Sequence, residues 1–293
     1  MQALQSEPCP PYQSIQDYNQ VEVHETGFTT LFGANNTLVD FIFVHGIGGG
    51  PKETWSNKTS ASQIKPKRRC FNFKPAAQHA KVLEPETFWP QDFLPSSFPG
   101  ARILTWGYES GVSGAPKTID LGLYDSIYKD LLYDLYSIRI DDPKRPIIWI
   151  AHGFGRTIVK EVLLSSTNDT RDAGSIYEST RALLFLGTPI GTPIGTSIGA
   201  LHQRYMQERF NNLLRLRQRE IHPANFPETD VTTEVVNDYS LVMDHWAIER
   251  SLPGKYEGMC KFSDRGDTGY RRIKGELESV VKLLDDTPID ITS

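Results

Sequence analysis

A short turn between a predicted strand and a predicted helix has the spacing of a site for nucleophilic chemistry. Residues 147–150 form an unbroken apolar run of strand length, and apolar residues then recur at helical spacing from Ile158 to Leu163. The turn between them, residues 151–155, reads AHGFG. In the pattern G-x-S-x-G, such a turn exposes the hydroxyl of a serine that attacks a carbonyl carbon. In this chain the central position of the pattern is Gly153.

Gly153 has no side-chain atom that could attack a carbonyl. The residue at this kind of turn is held in a strained backbone conformation, which costs a residue with a side chain ~1–3 kcal/mol. Glycine adopts the same conformation at little steric cost. Gly153 therefore fits a protein that no longer uses the hydroxyl and has relieved the strain. The alternative interpretation is that residues 151–156 are a strand-to-helix turn without any catalytic origin.

A second turn of the sequence is predicted to bring hydrogen-bond donors to the same place. Residues 39–44, VDFIFV, are a predicted central strand that continues into His45-Gly46-Ile47 and three further glycines. In serine hydrolases a His-Gly turn here supplies one backbone N–H of the oxyanion hole, and the residue after the nucleophile supplies the other. The corresponding groups here are Gly46 and Ile47 on one turn and Phe154 on the other. The alternative is a glycine loop that binds no oxyanion.

Strands and helices alternate around these two turns. Further strands are predicted at 21–23, 28–32, 101–106, 182–186, 231–236 and 259–262, and amphipathic helices at 119–138, 201–221 and 270–284. This alternation predicts an α/β fold, in which a mainly parallel central sheet has helices on both faces.

The order of the motifs along the chain resembles that of one family. The segments VDFIFVHGIGG, WPQDFLP, ARILTWGY, RPIIWIAHGFG and ALLFLGTP follow one another between residues 38 and 284. This series is similar to the intracellular serine esterase-like α/β-hydrolases, the DUF676 and SERAC-like lipase family, in a version that occurs in fungal proteins. The resemblance implies an α/β-hydrolase fold and a catalytic triad in the order nucleophile, acid, histidine. We expect no cofactor and no metal.

The chain departs from the triad that the resemblance implies. The nucleophile position is Gly153, and the acid position follows the strand at 231–236, where Asp238 stands. The family has a histidine shortly before the segment MCKF at 259–262, whereas this chain has Tyr256. Loss of a whole triad costs a serine hydrolase on the order of 10⁶ in turnover. Ordinary esterase activity is therefore not expected.

Other polar side chains are candidates for a role in the pocket. His245 follows Asp244 and is expected near the pocket mouth, although it is also compatible with an ordinary surface position. Arg156 stands where the family usually has glycine, so it either turns toward solvent or reaches the vacated pocket and binds a carboxylate or phosphate. Tyr256 could donate a hydrogen bond or act as a general acid. Ile190 replaces a polar pocket residue of the family, within a repeated segment at 187–199.

The composition of the 293-residue chain restricts its partners. A formal net charge of −5 and a pI of about 5.8 argue against a nucleic-acid or anionic-membrane surface. Three widely spaced cysteines suggest neither a disulfide framework nor a zinc site. The sequence has no secretory signal pattern and no stretch of the ~20 apolar residues that a membrane span needs. We therefore predict a cytoplasmic protein.

We predict one domain over residues 20–286, preceded by a flexible arm at 1–19 and followed by a tail at 287–293. Three functions remain open. The first is a pseudo-hydrolase that acts as a ligand-binding or regulatory module. The second is a repurposed enzyme that performs cyclisation, elimination or proton transfer on a small metabolite with Tyr256, Asp238, His245 and Arg156. The third is an active serine esterase or lipase whose catalytic residues lie elsewhere. A small-molecule ligand and a protein partner are both compatible with these functions.

Overall fold

The computed structural model describes most of the chain between residues 21 and 285. The described ranges are 21–34, 36–57, 86–109, 121–167, 174–187, 208–217, 220–226, 248–249, 252–254 and 258–285. Several sequence predictions lie outside them: the arm at 1–19, the tail at 287–293, most of the repeat at 187–199 and the strand at 231–236. Within the described ranges, no helix is both long and apolar enough to cross a bilayer.

Seven strands form the central sheet, in the spatial order β1-β5-β2-β6-β7-β8-β9. They are β1 (Gly27–Phe32), β2 (Val39–Val44), β5 (Ala101–Gly107), β6 (Ile147–His152), β7 (Thr180–Leu186), β8 (His222–Phe226) and β9 (Ile248–Glu249). Every neighbouring pair is parallel except β1 and β5, which are antiparallel. Two short strands, β3 (Ser56–Asn57) and β4 (Thr87–Phe88), pair separately. The predicted mainly parallel sheet is confirmed.

Helices cover both faces of this sheet. They are α1 (Trp89–Asp92), α2 (Leu94–Ser97), α3 (Leu121–Ser137), α4 (Gly155–Ser166), α5 (Gly174–Ser179), the described part of α6 at 208–216, and α7 (Thr268–Asp285). Helices α3 to α6 pack on one face, and α1, α2 and α7 pack on the other. Strands β2 and β6 are buried along their whole length, which explains why their sequences are continuously apolar rather than alternating.

Two short predicted strands are wrong. Residues 21–23 form no strand, and β1 pairs with β5 instead of with them. Residues 259–262 form a turn and an irregular segment, in which Cys260 accepts a hydrogen bond of 2.8 Å from the indole nitrogen of Trp89. Their apolar side chains are buried against α1 and α7 without a strand partner. In both cases a short apolar pattern reflects burial and not backbone pairing.

A buried ion cluster holds the amino end of the sheet. Asp40 on β2 is fully buried and accepts two hydrogen bonds of 2.8 Å from the guanidinium of Arg102. Arg139 donates to the same carboxylate, and Arg145 lies 3.4 Å from it. Arg139 also donates to the carbonyls of Pro143 and Arg145. The cluster therefore ties the segment after α3 to the start of β2.

Glu161 is a buried carboxyl group between α3 and α4. It accepts a hydrogen bond of 3.2 Å from the hydroxyl of Tyr124. Burial raises the pKa of Glu161 to about 7, although the hydrogen bond from Tyr124 and the charge of Arg209 act in the opposite direction, and the charge of Asp125 adds to the rise. The ionised form of Glu161 therefore opposes folding.

We expect Glu161→Gln to stabilise the protein near pH 8 by ~1–3 kcal/mol and to have little effect near pH 4. The pKa of Glu161 is higher in the folded than in the unfolded state, so the cost of ionisation is absent below the unfolded pKa. It grows as pH rises toward the folded pKa of about 7. Glutamine keeps an acceptor for Tyr124. Urea unfolding at both pH values measures the effect, with the exposed Glu278→Gln as control. An equal effect of Glu161→Gln at both pH values would contradict the prediction.

Candidate functional site

Gly153 occupies the turn between the carboxyl end of β6 and the start of α4. Its φ is 53°, in the left-handed region that residues with a side chain rarely adopt. Its N–H donates a hydrogen bond of 3.0 Å to the carbonyl of Leu186 on β7, and its carbonyl accepts one of 3.2 Å from the N–H of Arg156. The sharp backbone turn of a nucleophile position is therefore present, with glycine at its apex.

Gly155 lets α4 pack directly on the end of β2. A Cβ atom on Gly155 would lie 2.5 Å from the carbonyl oxygen of Val44 and 2.6 Å from that of His45. No real Cβ atom is found so close to a backbone oxygen. This contact places the turn at Gly153 beside the His45-Gly46 turn that follows β2.

The two turns predicted to supply oxyanion donors are in contact. A Cβ atom on Gly46 would lie 3.1 Å from the carbonyl oxygen of His152 and 3.4 Å from the backbone nitrogen of Phe154. Within the described part of the chain, the N–H groups of Ile47 and Phe154 make no hydrogen bond. Phe154 is almost completely buried. Buried N–H groups are rarely left unpaired, so the N–H of Phe154 is suited to bind an acceptor from outside, whereas Ile47 is only half-buried.

His45 holds the first of these turns. Its Nδ1 lies 2.9 Å from the carbonyl oxygen of Gly46, and its Nε2 accepts a hydrogen bond of 3.3 Å from the N–H of Tyr108. These partners require the neutral tautomer with the proton on Nδ1. The pKa of His45 is lowered to about 4, mainly by burial; the hydrogen bond with Gly46 acts in the opposite direction, and the charge of His152 makes a smaller contribution to the lowering. His45 is therefore uncharged near neutral pH.

Tyr108 contacts the candidate site, although it was not singled out from the sequence. Its ring stacks on the imidazole of His45, with 4.1 Å between centroids and 9° between planes. Its hydroxyl donates a hydrogen bond of 3.0 Å to the carbonyl of His45. The only signal in the sequence was its place directly after β5, at the same edge of the sheet as His45.

Arg156 is buried, with 5% of its surface exposed, so the alternative that it turns toward solvent is wrong. Its guanidinium carbon lies 5.1 Å from the ring centroid of Phe185 on β7. The ammonium of Lys160, one turn later, lies 5.6 Å from the same ring and 5.0 Å from the ring of Phe210. The first turn of α4 has no acidic residue, and its N-terminus has no side-chain cap. The start of α4 therefore carries two buried cations that lie near aromatic rings.

Trp55 adds an unpaired donor near the turn at Gly153. It is completely buried, and its ring lies edge-on to the imidazole of His152, with 6.4 Å between centroids. Among the described residues its indole nitrogen has no hydrogen-bond partner. His152 directly precedes Gly153, so this donor belongs to the surroundings of the turn.

The structure brings together four of the residues singled out in the sequence, namely Gly46, Ile47, Gly153 and Phe154, and it places Arg156 on the next turn of helix. The other candidates, Asp238, His245, Tyr256 and Ile190, lie outside the described residues. In the described ranges no cluster of three or more His, Cys, Asp and Glu side chains could hold a metal ion.

A mainly parallel sheet, a left-handed residue at the strand–helix turn after β6 and a facing His-Gly turn after β2 define a protein with the α/β-hydrolase fold. In sequence, this chain is similar to protein SERAC1. It is 24% identical to the Homo sapiens protein over 152 residues and 27% identical to the Danio rerio protein over 158 residues. Each match covers 51% of this chain and 21% of SERAC1, about a fifth of the relatives' length. No protein-family model matches the chain.

Solved structures similar to this chain come from esterases and thioesterases. A lipase-esterase related protein from Clostridium acetobutylicum is 10% identical, with a TM-score of 0.45 over 88% of this chain and 100% of the other. A carboxylesterase from Nitrososphaera gargenis is 11% identical, with a TM-score of 0.45 over 87% and 94% of the two chains. The type II thioesterase BorB from the borrelidin biosynthetic cluster is 14% identical, with a TM-score of 0.43 over 89% and 98%.

Proposed function

We propose that this chain is a pseudo-hydrolase, which binds a small-molecule ligand at the position of a former active site without serine-dependent hydrolysis. Gly153 is the observation that carries the proposal. It keeps the φ of 53° that a nucleophile turn requires, but it offers no atom that could attack a substrate. The similarity to SERAC1 supports a place in the SERAC-like group. We further propose that the chain is a fungal version of this group and that its triad is degenerate.

The parts of the site that remain are those that bind and not those that break bonds. The N–H groups of Ile47 and Phe154 have no acceptor among the described residues, and His45 holds the first of their turns in place through Gly46 and Tyr108. In a serine hydrolase such donors stabilise the oxyanion of the tetrahedral intermediate. Without a nucleophile no such intermediate forms, and the donors can only bind an acceptor that the ligand brings.

The same donors support a second candidate, an enzyme with non-hydrolytic chemistry. An oxyanion hole also stabilises an enolate, which forms when a base removes a proton next to a carbonyl. Such a reaction needs no serine, and Tyr256, Asp238 and His245 are the candidate acid and base groups. Deuterium uptake next to the carbonyl of a bound ligand in D₂O, followed by NMR, would favour this function over simple binding.

The pseudo-hydrolase proposal is tested by fluorophosphonate labelling together with p-nitrophenyl acetate turnover. We expect neither labelling nor enzymatic turnover for the unmodified chain. The same measurements are made on Gly153→Ser and on the double variant with Tyr256→His. Gly153→Ala is the matched control, because it adds a Cβ at the same φ but no hydroxyl. We expect labelling to appear in the serine variants only.

Labelling of the unmodified chain would overturn the proposal, because it would reveal an activated serine elsewhere in the protein. An active esterase or lipase, the third function left open by the sequence, would then be the correct assignment. Labelling that appears only with Gly153→Ser and Tyr256→His would show that the scaffold still supports hydrolysis and that only its reactive groups were lost.

A further inference from the structure

We propose that the outer face of helix α3 is the interface of a homodimer, in which the α3 helices of two copies of this chain pack antiparallel and cross at Ser137. The inference goes beyond the proposed function and does not depend on it. Three features of the described residues carry it: the position of α3 at the border of its layer, exposed apolar side chains on its outer face, and unpaired charges of opposite sign on either side of Ser137.

Helix α3 lies at the border of its layer. Its 17 residues form a rod about 25 Å long. It packs against α4 and against β1, the strand at one edge of the sheet. Its inner face is part of the core through Ile127, Leu131 and Leu135. Since these contacts already hold α3 on the sheet, its outer face is available to a second protein.

The outer face of α3 and the turn after it expose large apolar side chains. Of the seven large apolar side chains that are exposed in the described part of the chain, four lie here, namely Leu38, Tyr133, Ile138 and Ile140. Tyr133 and Ile140 are 72% and 62% exposed. Leu38 belongs to the same surface, because it closely precedes Asp40, whose carboxylate is bound by Arg139. Single exposed apolar residues are common, but a group of them is typical of an interaction surface.

The outer face follows the helical repeat. A stripe of exposed residues spaced by three, four and three positions consists of Asp130, Tyr133, Ser137 and Ile140. Residues at this spacing lie on one side of a helix. The helical turn continues beyond Ser137, because the N–H of Ile138 donates a hydrogen bond of 3.1 Å to the carbonyl of Asp134. Ile140 therefore extends the stripe past the last residue of α3.

Two such stripes are complementary when they run antiparallel. In a twofold interface, each residue before the axis meets a residue after the axis on the other copy. An axis at Ser137 places Tyr133 on Ile140 of the other copy, which buries an aromatic ring against an aliphatic side chain. The side chain at the crossing is small, and its hydroxyl already donates a hydrogen bond of 2.9 Å to the carbonyl of Tyr133. Burying Ser137 therefore leaves no donor without an acceptor.

The charges at the two ends of the surface favour a second copy as the partner. Asp130 and Lys144 stand seven residues before and seven residues after Ser137, and both are exposed. Within the described part of the chain, neither forms an ion pair. Charged neighbours pair inside the chain, Lys129 with Asp125 and Asp142 with Arg145. In the antiparallel dimer, Asp130 lies next to Lys144 of the other copy, and symmetry forms this pair twice.

Sedimentation velocity of the full chain at concentrations from about 1 to 300 μM tests the proposal. We expect a dissociation constant on the order of 10–100 μM, since the interface is small, with a mass that rises from 33.1 kDa toward twice that value. Tyr133→Asp and Ile140→Asp should each weaken the dimer by about tenfold or more. Leu216→Asp is the matched control, because Leu216 is equally exposed to solvent but lies on α6. It should change the dissociation constant by less than about twofold.

A charge exchange tests the antiparallel arrangement. Asp130→Lys and Lys144→Asp each place like charges next to one another, so each should weaken the dimer by about fivefold or more. The double variant restores opposite charges and should recover most of the lost affinity. Glu208→Lys, which reverses an exposed charge on α6, is the control and should have little effect. Circular dichroism and thermal unfolding confirm that every variant is folded.

The proposal is overturned if the unmodified chain remains a monomer at the highest concentration. It is also overturned if the folded Tyr133→Asp and Ile140→Asp variants associate as the unmodified chain does, or if the double charge variant is as weak as the single ones. Association that Leu216→Asp abolishes, or that proceeds to species larger than a dimer, would place the interface on another surface. None of these outcomes affects the fluorophosphonate test, so the dimer and the pseudo-hydrolase fail separately.

Discussion

Asp40→Ala is expected to lower the free energy of unfolding by ~3–5 kcal/mol, because it leaves buried arginines without their counter-ion. Asp40 is fully buried and is the shared acceptor of Arg102, Arg139 and Arg145. Arg139 is itself buried, so its charge cannot be solvated by water when the carboxylate is removed. The loss exceeds that of a surface ion pair, which is typically worth less than ~1 kcal/mol.

Asp142→Ala is the matched control for this variant. Asp142 forms an ion pair of 2.9 Å with Arg145, but 43% of its side-chain surface is exposed. Urea unfolding of both variants near neutral pH measures the difference. If Asp142→Ala destabilises the protein as much as Asp40→Ala does, the cluster is not the buried network that its geometry indicates. The cluster lies at the amino end of β2, whereas the two donor turns lie beyond its carboxyl end.

The strands that could be predicted from the sequence are mainly those that are both buried and paired on two sides. Strands β2, β5, β6 and β7 are central, and their apolar runs were recognised. Strand β8 was missed because its sequence, HPANF, has little apolar character and includes Pro223. It is a strand because β7 and β9 pair with it on either side. This pairing is a long-range feature that a local sequence pattern does not indicate. The strand predictions at 21–23 and 259–262 were wrong for the opposite reason, because these segments contain apolar residues but have no pairing partner.

The sequence predicted the backbone turns of the candidate site but not the arrangement of its side chains. The resemblance to a hydrolase family placed Gly46, Ile47, Gly153 and Phe154 in adjacent turns, and the structure brings these turns into contact. Side-chain arrangements depend on residues that are far apart in sequence, and they could not be predicted in the same way. Tyr108 contacts a residue 63 positions away.

The burial of Lys160 and Arg156 depends on distant packing in the same way. Lys160 is buried, and its ammonium group lies near the rings of Phe185 and Phe210. Two orientations of Arg156 were compatible with the sequence, and its burial beside Phe185 excludes the one toward solvent. A helical pattern alone would have placed both cations at the surface.

Gly155→Ala is expected to destabilise the protein by ~3 kcal/mol or more, which is large for the addition of one methyl group. The new Cβ would lie 2.5 Å from the carbonyl oxygen of Val44 and 2.6 Å from that of His45. These oxygens belong to the end of a strand that pairs on both sides and to the turn that follows it, so they cannot rotate away as a side chain can. Helix α4 must move as a body, which also separates Phe154 from Gly46.

Gly275→Ala is the control, because it makes the same chemical change in a helix with the opposite expected sign. A Cβ on Gly275 in α7 meets no atom within 4 Å, so alanine should stabilise the protein by ~0.5–1 kcal/mol through its higher helix propensity. Urea unfolding of the two variants measures both effects. If Gly155→Ala is neutral or stabilising, α4 does not rest on β2 as described, and the contact between the two donor turns, on which the candidate site depends, is wrong as well.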